Sequence, residues 1–264
     1  MAPFLALNRA LMREAAPSVV NGLRAIDRGA PTFDGIEAEL TAYRAALEAA
    51  GVIVETLPAL DGYPDSIFLE DPALVFPEGA ILLRPGAPSR LGEAAAIAPV
   101  LRRLFNRVLI LGDGFAEGGD VLVTPRAVLI GLSARTNETG ARGLAALLET
   151  LGRRARVVTT PQGVLHFKTD CSLLDEETVL ATPRLAAGGV FEGYRVLLTP
   201  DGEEAAANAL RVNDRVFLGE RFDRTARLLA SSGYNVERLP NSQIGLLDAG
   251  FSCLSLRWSS RSLE

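Results

Sequence analysis

The sequence predicts an α/β protein in which five similar strand–helix–strand–strand units close into a ring. Three observations support this prediction. Short apolar runs that end in Leu-Pro, Thr-Pro or Leu-Gly recur along the chain. Most of these runs follow a segment whose apolar residues recur with the helical period of 3.6 residues. The runs recur every 40 to 55 residues or so, roughly the interval that is typical of repeat architectures.

The predicted strands fall into two sets. The terminal strands of the units span residues 54–58, 108–112, 157–161, 196–200 and 236–240. A further apolar strand precedes the helix in four units, at residues 80–83, 127–130, 178–181 and 215–218. Alternation of strands and helices favours an α/β architecture, and five units of equal standing favour a closed ring over an open sheet.

The predicted helices lie between these strands. The clearest ones span residues 33–50, 136–151 and 223–232, and each has apolar residues on one face. Residues 93–105 have the same character, but Pro99 must cap, kink or break that helix. Residues 184–194 are rich in glycine and form a poor helix, so the fourth unit is expected to be degenerate.

Composition predicts one domain over residues 1–264. The length allows a sizeable core, and no Pro/Gly/Ser-rich run or block of charges divides the chain. No stretch of about 18 apolar residues occurs, so no membrane contact is expected. The formal net charge of -5 disfavours nucleic acid as a partner, because that function requires a basic surface.

The cysteines and the first residues predict a cytoplasmic protein. Arg9, Arg13 and Glu14 come too early for a secretory signal. The two cysteines, Cys171 and Cys253, are therefore expected to be reduced thiols. One histidine and two cysteines also argue against a structural zinc site, which needs about four such ligands.

The candidates for chemistry are the only histidine, His166, and the thiol of Cys253. Histidine titrates near neutral pH, and a thiolate is a strong nucleophile. A single histidine and a single cysteine are often structural, so their placement matters. Both lie in polar clusters that follow the terminal strands, and these clusters span residues 65–71, 117–120, 166–170, 203–208 and 248–253.

Comparable positions in a ring of similar units face the same axis. We therefore expect His166 and Cys253 to converge, surrounded by carboxylates. Carboxylates that share a site repel one another unless a cation lies between them. This predicts a guanidinium or amidinium substrate that Cys253 attacks, with His166 as acid and base and a carboxylate such as Glu117 orienting the imidazole.

Two further stretches, residues 84–90 and 133–137, contribute Arg90 and Arg135 between a strand end and a helix start. Arginine binds carboxylates with two parallel N–H groups. A substrate with a guanidinium at one end and a carboxylate at the other is an arginine-like amino acid.

Six short motifs occur in order along the chain. They are Phe-Leu-Glu-Asp (68–71), Arg-Pro-Gly-Ala-Pro-Ser-Arg (84–90), Glu-Gly-Gly-Asp (117–120), Ser-Ala-Arg-Thr-Asn (133–137), Leu-His-Phe-Lys-Thr (165–169) and Ser-Cys (252–253). In this order they resemble the dimethylarginine dimethylaminohydrolase family of the guanidino-group-modifying superfamily. The resemblance implies a five-bladed α/β propeller with an N-terminal lid near residues 15–32. It also implies hydrolysis of asymmetric dimethylarginine and monomethylarginine to citrulline and a methylamine, without a metal or organic cofactor.

The resemblance assigns roles by matching position. Cys253 is the implied nucleophile, which forms a covalent thiouronium intermediate, with His166 as acid and base and Glu117 as the third catalytic residue. The implied substrate-binding residues are Asp71 and Asp248 for the guanidinium, Arg90 and Arg135 for the α-carboxylate, Asp65 for the α-amino group, and Phe68 and the backbone of Leu23 for the pocket wall and lid. Glu70, the neighbour of Asp71, is also implied to bind the substrate.

Two alternatives remain open at this point. The first is an arginine deiminase or another guanidino hydrolase on the same scaffold, although known deiminases carry an extra helical domain for which this chain has no room. The second is a non-enzymatic propeller that binds a partner, which would need neither Cys253 nor His166. The expected ligand is a small methylated arginine, and the expected assembly is a monomer or homodimer. The preferred methylation state and the role of Asp170 stay open.

Overall fold

Residues 6–260, the part of the chain that the computed structural model describes, form five three-stranded sheets. In every sheet a middle strand pairs with an inner strand on one side and with an outer strand on the other. From inner to outer strand, the first three sheets are β15 (Leu256–Trp258), β1 (Arg9–Arg13) and β2 (Ile53–Leu57); β3 (Ala73–Phe76), β4 (Gly79–Leu82) and β5 (Val108–Ile110); and β6 (Val121–Val123), β7 (Val128–Leu132) and β8 (Ala155–Thr159). The last two, in the same order, are β9 (Cys171–Leu173), β10 (Thr178–Ala181) and β11 (Arg195–Leu198); and β12 (Leu210–Val212), β13 (Arg215–Gly219) and β14 (Asn235–Leu239).

Every sheet follows one pairing rule. The middle strand is antiparallel to the inner strand and parallel to the outer strand. Parallel neighbours need a crossover connection, and a helix supplies it in each sheet. The helices are α1 (Phe33–Ala49), α2 (Glu93–Leu104), α3 (Glu138–Thr150), α4 (Pro183–Ala186) and α5 (Asp223–Ser231).

The five sheets surround a common axis. Inner strands of neighbouring sheets contact one another, as β15 does with β3, and β9 does with β6 and β12. This arrangement is the predicted five-bladed α/β propeller. The fourth blade is degenerate, as the glycine-rich sequence predicts, because α4 has only four residues. Pro99 lies inside α2, which continues to its end at Leu104.

Helix starts follow from local chemistry. The side chains of Thr32, Asn137 and Thr182 each accept a hydrogen bond from the backbone N–H three residues later, which caps α1, α3 and α4. Each capped helix then buries one face in the core, as α1 does with Ile36, Tyr43 and Leu47. The helices are thereby fixed against the blades, and the loops between blades are held in place.

The ring closes through the first blade. The inner strand β15 pairs with β1, with Arg9 opposite Trp258 and Leu11 opposite Leu256. Next to this pairing, the Tyr43 hydroxyl lies 2.7 Å from Ser255 Oγ, and its ring stacks on Phe251 at a centroid distance of 5.8 Å. Closure therefore also fixes the segment that contains Cys253. No helix within residues 6–260 is long and apolar enough to cross a membrane.

Candidate active site

Three short 3-10 helices lead from the outer strand of one blade towards the inner strand of the next. They are Gly118–Asp120, Phe167–Thr169 and Phe251–Leu254. Glu117 and His166 stand directly before the first two with extended backbones, and Cys253 lies within the third. The predicted nucleophile, base and carboxylate thus occupy equivalent positions in three blades.

Glu117 is the carboxylate at the centre of the site. It is fully buried, and its Oε2 lies 2.6 Å from Nε2 of His166. Its Oε1 accepts a hydrogen bond from the backbone N–H of Gly86 at 2.8 Å and another from Nη1 of Arg135 at 3.3 Å. One carboxylate therefore joins the stretches around residues 84–90, 133–137 and 165–169, which the sequence predicts to lie together.

The imidazole of His166 is surrounded by acids. Burial alone lowers its pKa, but Asp71, Glu117 and Asp120 together raise the pKa of His166 to about 9. Asp120 is itself buried, and it accepts hydrogen bonds from Ser133 Oγ at 2.7 Å and from the backbone N–H of Phe167 at 2.8 Å. At neutral pH His166 is therefore an imidazolium that holds a proton ready for transfer.

Gly119 packs directly against that ring. A Cβ atom at this position would lie 2.8 Å from Cγ of His166, closer than real Cβ contacts allow. The backbone N–H of Gly119 also donates to Oδ1 of Asp71 at 3.0 Å. The second glycine of the Glu-Gly-Gly-Asp motif, Gly119, is thus required because the imidazole and Asp71 approach its backbone closely.

Cys253 presents a protonated thiol. Burial is the main cause, and the charges of Glu70 and Asp71 add to it, so the pKa of Cys253 is raised to about 11. Its Sγ lies 3.9 Å from Ser252 Oγ and 4.0 Å from Nδ2 of Asn208. Asn208 was not predicted as a site residue, although it belongs to the polar cluster at 203–208.

Glu70 lies beside the nucleophile, since its backbone N–H donates to the Cys253 carbonyl at 3.2 Å. Its Oε1 is shared by Lys168 and by Nη2 of Arg257, the latter at 3.2 Å. Its Oε2 has no hydrogen-bond partner within the described chain. The structure therefore pairs Glu70 with two cations of the protein, and its contact with the substrate stays a prediction. No motif in the sequence indicates a role for Arg257.

Arg90 belongs to a buried network. Its Nη1 donates to Oδ2 of Asp71 at 2.5 Å, and its Nη2 donates to the carbonyls of Asp65 at 3.3 Å and Phe68 at 3.2 Å. Glu93 holds the other edge of the guanidinium. To bind a substrate carboxylate, as the resemblance implies, Arg90 must share or exchange its contact with Asp71. Arg135 is more accessible, with its side chain 18% exposed.

The predicted lid follows β1 and includes a 3-10 helix, Pro17–Asn21. Oδ1 of Asp65 accepts the backbone N–H of Leu23 at 2.9 Å, which places the predicted pair together. Asp248 also binds the lid: Oδ2 accepts the N–H of Ala25 at 2.5 Å, and Oδ1 lies 3.3 Å from Nη1 of Arg28. Both oxygens of Asp248 therefore bind the lid in this structure, and its contact with the substrate guanidinium stays a prediction.

Phe68, Asp170 and Cys171 are all buried. Phe68 is buried in the apolar cluster that contains Cys253, as expected for a pocket wall. Asp170 is buried and accepts hydrogen bonds from Thr182 Oγ1 at 2.9 Å and from Arg184, which ties the fourth blade together. Burial raises the pKa of the Cys171 thiol well above its usual value, which disfavours its thiolate form.

Asp71, Glu117 and His166 offer ligand atoms within 4.8 Å of one another, which is close enough to share a metal ion. The surrounding charges disfavour that use. Arg90 already pairs with Asp71, and Arg135 already pairs with Glu117. A divalent cation there would meet two guanidinium groups and an imidazolium, whereas a planar guanidinium substrate brings only one charge and several N–H donors.

The chain is similar to known proteins over most of its length. A family model described as arginine deiminase matches residues 59–208. The chain is 35% identical to an N(G),N(G)-dimethylarginine dimethylaminohydrolase of Pseudomonas aeruginosa over 94% of this chain and 98% of the relative. It is 33% identical to the Streptomyces coelicolor enzyme of that name over 94% and 96% of the two chains.

The fold agrees with these sequence matches. A solved structure of the Pseudomonas aeruginosa enzyme, a cysteine-to-serine mutant complexed with citrulline, superposes with a TM-score of 0.92. It shares 34% sequence identity and covers 96% of this chain and 99% of that chain. The motifs, the propeller and the full-length matches agree, and the chain belongs to the dimethylarginine dimethylaminohydrolase family.

Proposed function

We propose that this protein hydrolyses Nω-methylated arginines to citrulline and a methylamine, with Cys253, His166 and Glu117 as the catalytic residues. The observation that carries the proposal is the 2.6 Å contact between Glu117 and His166 beside Asp71, in a site that also buries a free thiol. The relatives named above are dimethylarginine dimethylaminohydrolases, and one of them is solved with citrulline.

In the proposed mechanism the substrate guanidinium lies against Asp71, next to the thiol. Burial, together with the charges of Glu70 and Asp71, raises the pKa of Cys253 to about 11 in the free protein. The positive charge of the substrate compensates those carboxylates, so the thiolate becomes accessible when the cation binds. The α-carboxylate is bound by Arg135 and Arg90. The α-amino group is bound by Asp65 and by the backbone of Leu23, which Asp65 already holds.

As the guanidinium binds, the Cys253 thiol loses its proton to solvent, and the thiolate then attacks the guanidinium carbon and forms a C–S bond. His166 gives its proton to the methylated nitrogen, the C–N bond breaks, and a neutral methylamine leaves. The product on the enzyme is a thiouronium bound to Cys253. His166, now neutral, takes a proton from water, the resulting hydroxide forms the C–O bond, and the C–S bond breaks to give citrulline. Glu117 holds the imidazole through both transfers.

We further propose that the chain acts in the cytoplasm as one domain over residues 1–264, as a monomer or homodimer, without a metal or organic cofactor. Two free cysteines are compatible with a reducing compartment. Sedimentation velocity of the purified protein would distinguish monomer from dimer.

The function is tested by measuring citrulline formed from asymmetric dimethylarginine, monomethylarginine and arginine side by side. We expect release from the methylated substrates and loss of that activity in Cys253→Ser. Cys171→Ser is the matched control, because it makes the same change at a thiol away from the site. Turnover of arginine alone would favour a deiminase, as the family model's description suggests. No citrulline from any substrate would contradict the proposal.

Gly119→Ala is expected to lower kcat about ten- to a hundredfold with a smaller change in KM. The added Cβ must displace the imidazole of His166 or Asp71, because the nearest ring atom would lie at 2.8 Å. Steady-state citrulline formation measures the effect. Gly112→Ala is the control, since a Cβ there meets no atom within 4 Å. Equal kcat values in the two variants would show that His166 does not depend on this contact.

A further inference from the structure

Glu93 is a buried carboxylate to which neither the sequence nor the proposed mechanism assigns a role. It is the first residue of α2, and its side chain is 3% exposed. Both of its oxygens bind Arg90: Oε1 accepts from Nε at 2.9 Å, and Oε2 accepts from Nη2 at 2.7 Å. This is the two-pronged geometry in which a carboxylate fixes the plane of a guanidinium.

The contact leaves Arg90 only one edge for the active site. Nε and Nη2 are directed to Glu93, and Nη2 is also held by the carbonyls of Asp65 and Phe68. Nη1 alone points to Asp71. Because Glu93 and the two carbonyls determine the orientation of the guanidinium, they also determine where Nη1 lies.

We propose that Glu93 is a positioning residue for substrate binding, which acts by holding Arg90 so that Nη1 serves the site. The inference rests on the proposed function. In Glu93→Gln the negative charge is lost and one of the two accepting oxygens becomes an NH2 group, so Asp71 becomes the only carboxylate partner of Arg90 within the described chain. Arg90 then turns to bind Asp71 with two N–H groups, which draws Nη1 away from the substrate carboxylate.

The test compares Glu93→Gln with Glu138→Gln. Glu138 is likewise the first residue of its helix, α3, but its partner Arg142 is exposed at the surface. We expect Glu93→Gln to raise KM for monomethylarginine by about ten- to a hundredfold, with kcat changed by less than about threefold. Glu138→Gln should leave both constants unchanged. Glu93→Asp, which keeps the charge on a shorter side chain, should recover part of the loss.

A double variant tests the route through Arg90. If Glu93 acts by positioning Arg90, Glu93→Gln should change kcat/KM little when it is added to Arg90→Lys. Equal losses in both backgrounds, or a fall in kcat at constant KM, would overturn the inference. Circular dichroism shows whether Glu93→Gln folds. If it does not, Glu93→Asp is measured instead, and we expect a smaller rise in KM. Unchanged constants in a folded variant contradict this inference alone, whereas an inactive wild-type protein contradicts the proposed function.

Discussion

His166→Asn is expected to lower kcat for asymmetric dimethylarginine by about 10²- to 10⁴-fold, the usual contribution of a general acid and base. Asparagine neither gives a proton to the leaving amine nor takes one from water. The effect should be larger than that of Gly119→Ala, because the proton donor is removed rather than displaced. Steady-state citrulline formation on a variant with the wild-type circular dichroism spectrum measures it.

The two proton transfers assigned to His166 can be tested separately with a substrate whose leaving group needs no proton. A thiocitrulline analogue with a methylthio group in place of the methylamine needs no protonation to leave, since methanethiolate is a far weaker base than an amine anion. His166→Asn should therefore release about one equivalent of methanethiol quickly and then stop, with the thiouronium trapped on Cys253. No burst, together with normal thiol reactivity, would mean that His166 is already needed for the attack of Cys253, and would contradict a role limited to the two proton transfers.

Asp71→Asn is expected to raise the alkylation rate of Cys253 and to lower the rate of methylarginine hydrolysis. Asp71 adds to the raised pKa of Cys253 and also raises the pKa of His166. Removing its negative charge stabilises the thiolate and destabilises the imidazolium, so both pKa values fall. Alkylation of Cys253 by iodoacetamide at pH 8 should therefore become faster, whereas hydrolysis of methylarginine should fall by about 10²- to 10³-fold because the guanidinium loses its carboxylate.

In the wild-type protein a thiol with a pKa of about 11 is ionised in only about one molecule in a thousand at pH 8. Its alkylation rate should rise about tenfold per pH unit up to that value. The Cys171→Ser background removes the second thiol, and Asp61→Asn provides the same charge change at an exposed position. Slower alkylation in Asp71→Asn, or equal effects of the two substitutions, would contradict the charge arrangement described for the site.

The prediction of the ring from sequence is confirmed, because each outer strand and most helices carry a periodic apolar pattern that repeats. Outer strands such as β2 and β14 begin within one residue of the predicted segments. The inner strands β3, β6, β9, β12 and β15 are not located from the sequence, since each is a run of three or four residues that follows a polar cluster and has no adjoining helix to mark it. The strand β1 was also missed, because its partners β2 and β15 lie far along the chain.

The site was predicted as far as its residues belong to compact motifs. Glu117 and His166 meet as expected, and membership of the family is confirmed by the relatives; the individual roles remain predictions. The structure adds the lid contacts of Asp248, the contact of Glu93 with Arg90, and Arg257. Asp248 and Arg257 bind partners 220 and 187 residues away, and a single sequence does not show which distant charges become neighbours. Glu93 lies only three residues from Arg90, but the sequence does not show that both side chains are buried. The one-domain organisation also remains a prediction.

Closure of the ring through the first blade has a consequence for the order in which a growing chain gains reactivity. Asn8 is hydrogen-bonded to Ser260, which lies 252 residues further along the chain. The strand β15 follows the segment that contains Cys253 and pairs with β1. Glu117 and His166 are therefore synthesised well before Cys253. The thiol is fixed beside them only when β15 pairs with β1. Chains that end before Cys253 carry the acid, the base and the carboxylates without a nucleophile, so the site gains its thiol only as the ring closes.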